Sequence, residues 1–202
     1  PAYTIVQPVA WDHLVWTGAL AAEASAASMV VFGSLAQRAP ATRATLRRVL
    51  DTAADATVVC DINLRAPFFD QAVVEASLER ADLVKLNDDE LDLLQEWYGL
   101  PEGRDAAAEA LLARFDLATL CVTRGAEGAV LWHEGMRHVH AGHRADVVDT
   151  VGAGDAFLAM LLSELLAGTD GATALDWANR LGAYVAEQPG ATPAYARGDL
   201  FH

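Results

Sequence analysis

Short apolar runs alternate along most of the chain with stretches whose apolar residues recur at helical spacing. SMVVFGSL (28–35) predicts a strand ending at a glycine, and ATRATLRRVLDTAA (41–54) a helix with Leu46, Val49 and Leu50 on one face and arginines on the other. ATVVCDIN (56–63) predicts a second strand, QAVVEASLERA (71–81) a helix and DLVKLN (82–87) a third strand. Asn87 is placed to cap the next helix, DDELDLLQEWYG, whose acidic first turn suits the helix dipole. A helix over roughly 104–115 follows, and then strand LATLCVTRG meets EGAVLWHEG across a glycine-bearing turn. MRHVHAG and ADVVDT predict two more short strands, and GDAFLAMLLSELLAG and GATALDWANRLGAYVAEQ two closing helices.

This alternation implies an α/β fold, a mostly parallel sheet with helices on both faces. Ligands of such sheets gather at the carboxyl ends of strands. Asp61, Asn63 and Arg65, then Asn87 and Glu90, then Thr123 to Gly128 all follow predicted strands. The opening stretch, AYTIVQPVAWDHL, differs: it is β-like, then broken by proline and aromatic, and reads as a small appendage. The expected division is therefore residues 1–20 as an appendage returning to the core and 21–202 as the α/β core.

Composition narrows the partners. The 202 residues are 53% hydrophobic and 21% charged, as in a folded protein, and the net charge is −14. Such a surface repels phosphodiester backbones and anionic lipid, so neither nucleic acid nor membrane is expected as a partner. Cys60 and Cys121 lie in apolar runs without CxxC or Cys/His spacing and read as buried, reduced thiols. No secretory or membrane-spanning pattern is present, and the cytoplasm is the expected location.

The chemistry concentrates in TVGAGDAFLAMLL (150–162). Gly152 and Gly154 permit close backbone approach, and the helix that follows would aim free N–H groups and its dipole at one point. Such a hole suits a transferred phosphoryl group, and Asp155 beside it could take the proton of an attacking hydroxyl. A plain helix start with a favourable first-turn acid accounts for the same letters. NDDE (87–90) reads either as an N-cap with helix-stabilising acids or as Asn87 and Glu90 on one face near a metal-phosphate. DINLR places Asp61, Asn63 and Arg65 at alternate positions, on one face of an extended segment, with Arg65 available to a phosphate or to a carboxylate. VTRGAEG offers Thr123, Gly125 and Gly128 as a turn along a nucleotide, or as a plain hairpin. His13, His133, His138, His140, His143 and His202 lack HExxH spacing and are assigned no chemistry, His138 and His140 reading as strand-face residues. No GxxxxGK[ST] loop, leading GxGxxG or protein-kinase catalytic loop occurs.

In order, DxNxR, NxxE, TxGxxG and DTxGAGD resemble the ribokinase-like (PfkB-type) carbohydrate kinases, and FGSLAQR, DINLRAPFF and LVKLNDDEL resemble their bacterial fructokinase branch. The resemblance runs from about residue 28 onward and includes the opening YTIVQPVAWD. It implies a three-layer α/β/α ribokinase-like fold with a partial β-lid remnant at the start. It also implies ATP and Mg2+ as cofactors and a small sugar as substrate, with dimers through the lid often found among members. Asp155 would be the general base and Gly152, Ala153 and Gly154 the anion hole. Asn87 and Glu90 would serve the magnesium-phosphate motif, Glu90 through water. Thr123, Gly125 and Gly128 would border the nucleotide, with Asn179 and Gly190 near adenine. Arg65, with Asn63 and Asp61, would face phosphate or sugar. Asp149 and Val151 would lie where many members bind a monovalent cation such as K+. Members begin with a strand, sugar-binding residues and much of a lid that this sequence does not display, so an incomplete sugar pocket is expected. Fructose, 2-keto-3-deoxygluconate or another sugar would fit this reading. The alternative is a non-catalytic or truncated paralogue that binds nucleotide or protein partners.

Overall fold

Helix α1 (Gly18–Ala26) is the first helix of the computed structural model, which describes residues 4–200; Thr17 caps it by accepting the Leu20 N–H at 3.1 Å. The chain divides into two compact units, Pro1–Ala118 and Thr119–His202. Pro1 to Tyr3, part of the expected lid remnant, lie outside the described residues, as do Phe201 and His202.

In the first unit, β1 (Met29–Gly33), α2 (Pro40–Thr52), β2 (Thr57–Asp61), α3 (Gln71–Leu78) and β3 (Leu83–Asn87) form two successive strand–helix–strand crossovers. The strands pair in parallel, with Val31 opposite Val59 and Cys60 opposite Val84. β2 and β3 are buried along nearly their whole length, which is why their sequences are continuous apolar runs. Pro40 starts α2, where its missing N–H costs nothing, and Asp70 caps α3 by accepting the Val73 N–H at 2.8 Å. Helix α4 (Asp88–Tyr98) ends at Gly99 in the left-handed conformation, and α5 (Arg104–Phe115) closes the unit. Val59, Leu78, Leu86, Leu91, Leu94 and Leu111 are among its fully buried side chains.

Residues 4–14 do not form the β-like segment that their letters suggest. Ala10–His13 is a single 3-10 turn, closed by the Asp12 carboxylate on the Val9 N–H at 3.0 Å. Arg38 donates two hydrogen bonds of 2.8 Å to Asp12, and the hydroxyls of Thr42 and Thr45 donate to the carbonyls of Trp11 and Leu14. The segment is thus satisfied by polar groups of the 35–45 region instead of by a neighbouring strand.

In the second unit, β4 (Thr119–Thr123), β5 (Ala129–His133) and β6 (Met136–His140) are antiparallel, as their short connections require. Glu134 and Gly135, both at positive φ, make the two-residue turn between β5 and β6. Helices α6 (Ala153–Leu166) and α7 (Gly171–Ala186) enclose a core of Phe157, Leu161, Leu175, Ala178 and Leu181 with Cys121 and Leu131. The ADVVDT segment expected to be a strand is not one. Its Val148 and Asp149 N–H groups both donate to the Ala186 carbonyl, at 2.8 and 3.1 Å, and the Asp146 N–H donates to Glu187. The end of α7 leaves carbonyls without partners, and this segment satisfies one of them. Both cysteines are buried and form no disulfide, and among the described residues no helix is long and apolar enough to cross a membrane.

Candidate active site

Helix α6 begins with the geometry that its glycines permit. Gly152 is the N-cap at φ +82°, and a Cβ there would meet Ala191 O and lie 2.7 Å from Ala191 Cα. Only glycine fits a left-handed position with another backbone pressed on it. The Ala153 N–H reaches the Thr150 carbonyl at 3.3 Å, and the Ala156 N–H takes the Gly152 carbonyl. Among the described residues, the N–H groups of Gly154 and Asp155 meet no acceptor. Both residues are exposed, so two free donors and one carboxylate stand together at the positive end of a 14-residue helix. Just upstream, Asp149 accepts the Val151 N–H at 3.0 Å, a local turn that engages one of its carboxylate oxygens.

The Thr123–Gly128 turn carries Gly125 at φ +54° on the surface and Gly128 at φ +80° in the interior. Arg124 and Gly128 close it with an N–H to carbonyl bond of 2.7 Å. It connects the antiparallel strands β4 and β5, and residues 125–127 are exposed. Asn179 is buried on α7 and donates to the Leu175 carbonyl at 2.7 Å, so one of its amide hydrogens is taken by its own helix. Gly190 follows α7 at φ +85° with open space beside it.

In the first unit, Glu90 is the centre. Its Oε2 accepts the Asn87 N–H at 2.9 Å while Asn87 Oδ1 accepts the Glu90 N–H at 2.8 Å, a complete capping box. Its Oε1 accepts the Leu64 N–H at 2.6 Å, which fixes the DINLR segment against the start of α4. Burial pushes the Glu90 carboxyl upward, against the two backbone N–H groups that favour its charge. Direct metal ligation and a water-mediated contact alike would use a remaining lone pair of an oxygen that already accepts an amide.

DINLR itself departs from expectation. Asn63 sits at φ +42°, so the segment is not extended and Asp61, Asn63 and Arg65 do not share one face. Asp61 is buried, with both carboxylate oxygens 3.0 Å from Lys85 Nζ, whereas Arg65 is exposed and donates to the Leu64 carbonyl. Sequence reasoning passed over Lys85, although a lysine inside the apolar run LVKLN needs a buried partner, and a strand-end aspartate was at hand. It also passed over the contacts of His140 and His143 with Asp176, at 3.0 and 2.8 Å.

The family model described as pfkB family carbohydrate kinase matches residues 7–196. A fructokinase of Vibrio alginolyticus is 33% identical over 130 residues, which are 61% of this chain and 41% of that protein. A crystal structure of fructokinase from Vibrio cholerae O395 with fructose, ADP and calcium ion bound superimposes with a TM-score of 0.74 at 27% identity, over 85% of this chain and 58% of that one. A double mutant of the same enzyme, with fructose, ADP and potassium ion bound, gives a TM-score of 0.76 at 26% identity, over 87% and 59%. The chain therefore spans less than two thirds of the length of these relatives, and its fold is the ribokinase-like α/β fold.

Proposed function

The chain belongs to the pfkB family of carbohydrate kinases, and from that premise we propose that it carries the nucleotide and phosphoryl-transfer portion of an ATP-dependent, fructokinase-like sugar kinase. The observation that carries the reading is the start of α6, where exposed Asp155 stands beside the unpaired N–H groups of Gly154 and of its own backbone. Charge developing on a transferred phosphoryl group is stabilised by such preorganised donors. Asp155 accepts the proton of the sugar hydroxyl, the step that makes that oxygen a nucleophile. Within the Gly152–Gly154 backbone the Ala153 N–H is already drawn to the Thr150 carbonyl at 3.3 Å, so Gly154 and Asp155 supply the free donors.

The remaining roles follow the family motifs. Thr123, Gly125 and Gly128 border the nucleotide, with Asn179 and Gly190 towards adenine. Asn87 and Glu90 would hold a magnesium ion through its waters, and Arg65, exposed after the end of β2, would offer positive charge to phosphate or sugar. The buried Asp61–Lys85 pair holds the strand end that presents them. Asp149 and the Val151 carbonyl suit a monovalent cation. Bound Mg2+ and ATP supply the phosphoryl donor and neutralise its charge. The Vibrio cholerae O395 fructokinase double mutant, 26% identical to this chain, is the one with a potassium ion bound.

The test is a coupled ADP-release assay with fructose, 2-keto-3-deoxygluconate and other small sugars, run on this chain and on the longest native polypeptide that contains it. Sugar-dependent turnover supports the reading. ATP binding without turnover of any sugar by either form favours a non-catalytic nucleotide-binding paralogue.

A further inference from the structure

We infer that Asp176 is a positioning residue for the nucleotide-bordering turn at Thr123–Gly128, acting through His140 and His143; the inference rests on the kinase reading above. Asp176 Oδ1 accepts hydrogen bonds from Nε2 of both imidazoles, at 3.0 and 2.8 Å, and Oδ2 accepts from Arg180 Nε at 2.8 Å. Burial would raise this carboxyl, but the Arg180 and His143 hydrogen bonds outweigh it and hold the group charged. All four side chains are a fifth to a third exposed, so the cluster is neither loose surface nor deep core.

His140 is a bridge. Its Nδ1 accepts the Gly142 N–H at 3.0 Å, which puts the hydrogen of the neutral ring on Nε2, the atom that donates to Asp176. The same assignment argues against a cation here. The ligand atoms of His140, His143 and Asp176 lie within 4.8 Å of one another, but the nitrogen of His140 that would face a metal carries a hydrogen.

The 140–142 backbone that His140 fixes is the floor of the turn. A Cβ on Gly128 would collide with His140 O and Gly142 N and come within 2.6 Å of Ala141 C. A Cβ on Gly142 would come within 2.8 Å of Ala126 O and 2.9 Å of Gly128 N. The two segments cross backbone on backbone, with no side chain between them to absorb a shift. Arg124 Nη2 adds a tie to the Glu127 carbonyl at 3.0 Å and a longer one to the His140 carbonyl at 3.4 Å. A displacement of residues 140–142 is therefore passed directly to residues 126–128.

Asp176→Ala, with His143→Ala as the milder variant and Asp176→Asn as the conservative one, tests this by amide exchange and by calorimetric titration with Mg·ATP. Asp176→Ala should speed exchange at 125–128 about tenfold while strand 119–123 keeps its protection, and weaken ATP about tenfold. His143→Ala should act in the same direction, and Asp176→Asn, which keeps an oxygen for the imidazoles, should recover part of the loss. Unchanged exchange at the turn, or equal loosening of turn and strand, overturns the positioning role. A loosened turn with wild-type ATP affinity overturns its link to nucleotide. Absence of ATP binding by the wild-type chain instead overturns the kinase reading, and the exchange data then decide the mechanical link alone.

Discussion

Lys85 and Asp61 form a bidentate pair in the interior, the ammonium nitrogen lying 3.0 Å from each carboxylate oxygen, where the last residue of β2 faces the middle of β3. Each side chain is about a tenth exposed. A buried pair stabilises little relative to apolar residues of the same volume, but removing one partner strands the other charge. Lys85→Met should therefore cost about 3–5 kcal/mol in urea unfolding. Adding Asp61→Asn should recover part of that loss. A double variant as unstable as the single one would show that the ammonium contributes packing more than charge.

Glu90 makes a different demand, because both of its oxygens accept backbone N–H groups, from Leu64 and Asn87. Glutamine has one acceptor, so Glu90→Gln turns an amide NH2 towards an N–H and should cost about 1–3 kcal/mol in mildly acid buffer. The pH dependence has a definite sign. Burial raises the folded-state carboxyl above its ordinary value, so the native state holds its proton longer than the unfolded chain does. That contribution is complete below the unfolded value near 4.5 and is lost as pH rises through the folded one. The stability gap between wild type and Glu90→Gln should accordingly narrow from acid towards neutral pH in denaturant titrations. A gap that widens would contradict the assignment.

Asp12 shows the opposite sign. The hydrogen bonds from Arg38 hold its carboxyl at about 2, against the opposing effect of burial. Its stabilisation is present above the ordinary value of 3.8 and disappears as pH falls through about 2. Asp12→Asn should melt lower than wild type at pH 7, and the two melting curves should converge by pH 2. Retention of the full difference at pH 2 would mean that the carboxylate charge is not what ties the 3-10 turn to Arg38.

These three relationships were legible in the sequence to different degrees, for physical reasons. The Asn87–Glu90 box could be read because capping is a local interaction with a fixed spacing, and the glycine at 152 because a turn into a helix needs one. Lys85 could have been read, since a charge in an apolar strand is costly unless paired. Asn63 could not: asparagine tolerates the left-handed region but does not announce it, and one such residue undid the alternation across DINLR. ADVVDT had β-forming letters, yet its N–H groups found the end of α7, a partner set by tertiary structure. Helix α1 is mostly alanine with no apolar stripe to signal it. The Asp176 cluster joins residues more than thirty apart in sequence, beyond any local pattern.

Asp155 carries the proposed chemistry, and its variant separates catalysis from binding. Asparagine at 155 keeps the size of the side chain and an oxygen for hydrogen bonding, but it cannot take up a proton at neutral pH. Asp155 is exposed in the first turn of α6, where the loss of one favourable charge–dipole contact costs about 0.3–1 kcal/mol, so the fold should persist. If Asp155 is the base, Asp155→Asn should lower kcat for the accepted sugar by about 10²–10⁴-fold, the usual contribution of general base catalysis. The Gly154 amide and the open turn at 125–128 are untouched, so Mg·ATP affinity should stay within about twofold of wild type, a change of under half a kcal/mol. Turnover near the wild-type rate would remove Asp155 from the mechanism. A matched loss of ATP affinity would mean that the residue shapes the phosphate site and leaves the hydroxyl to another group.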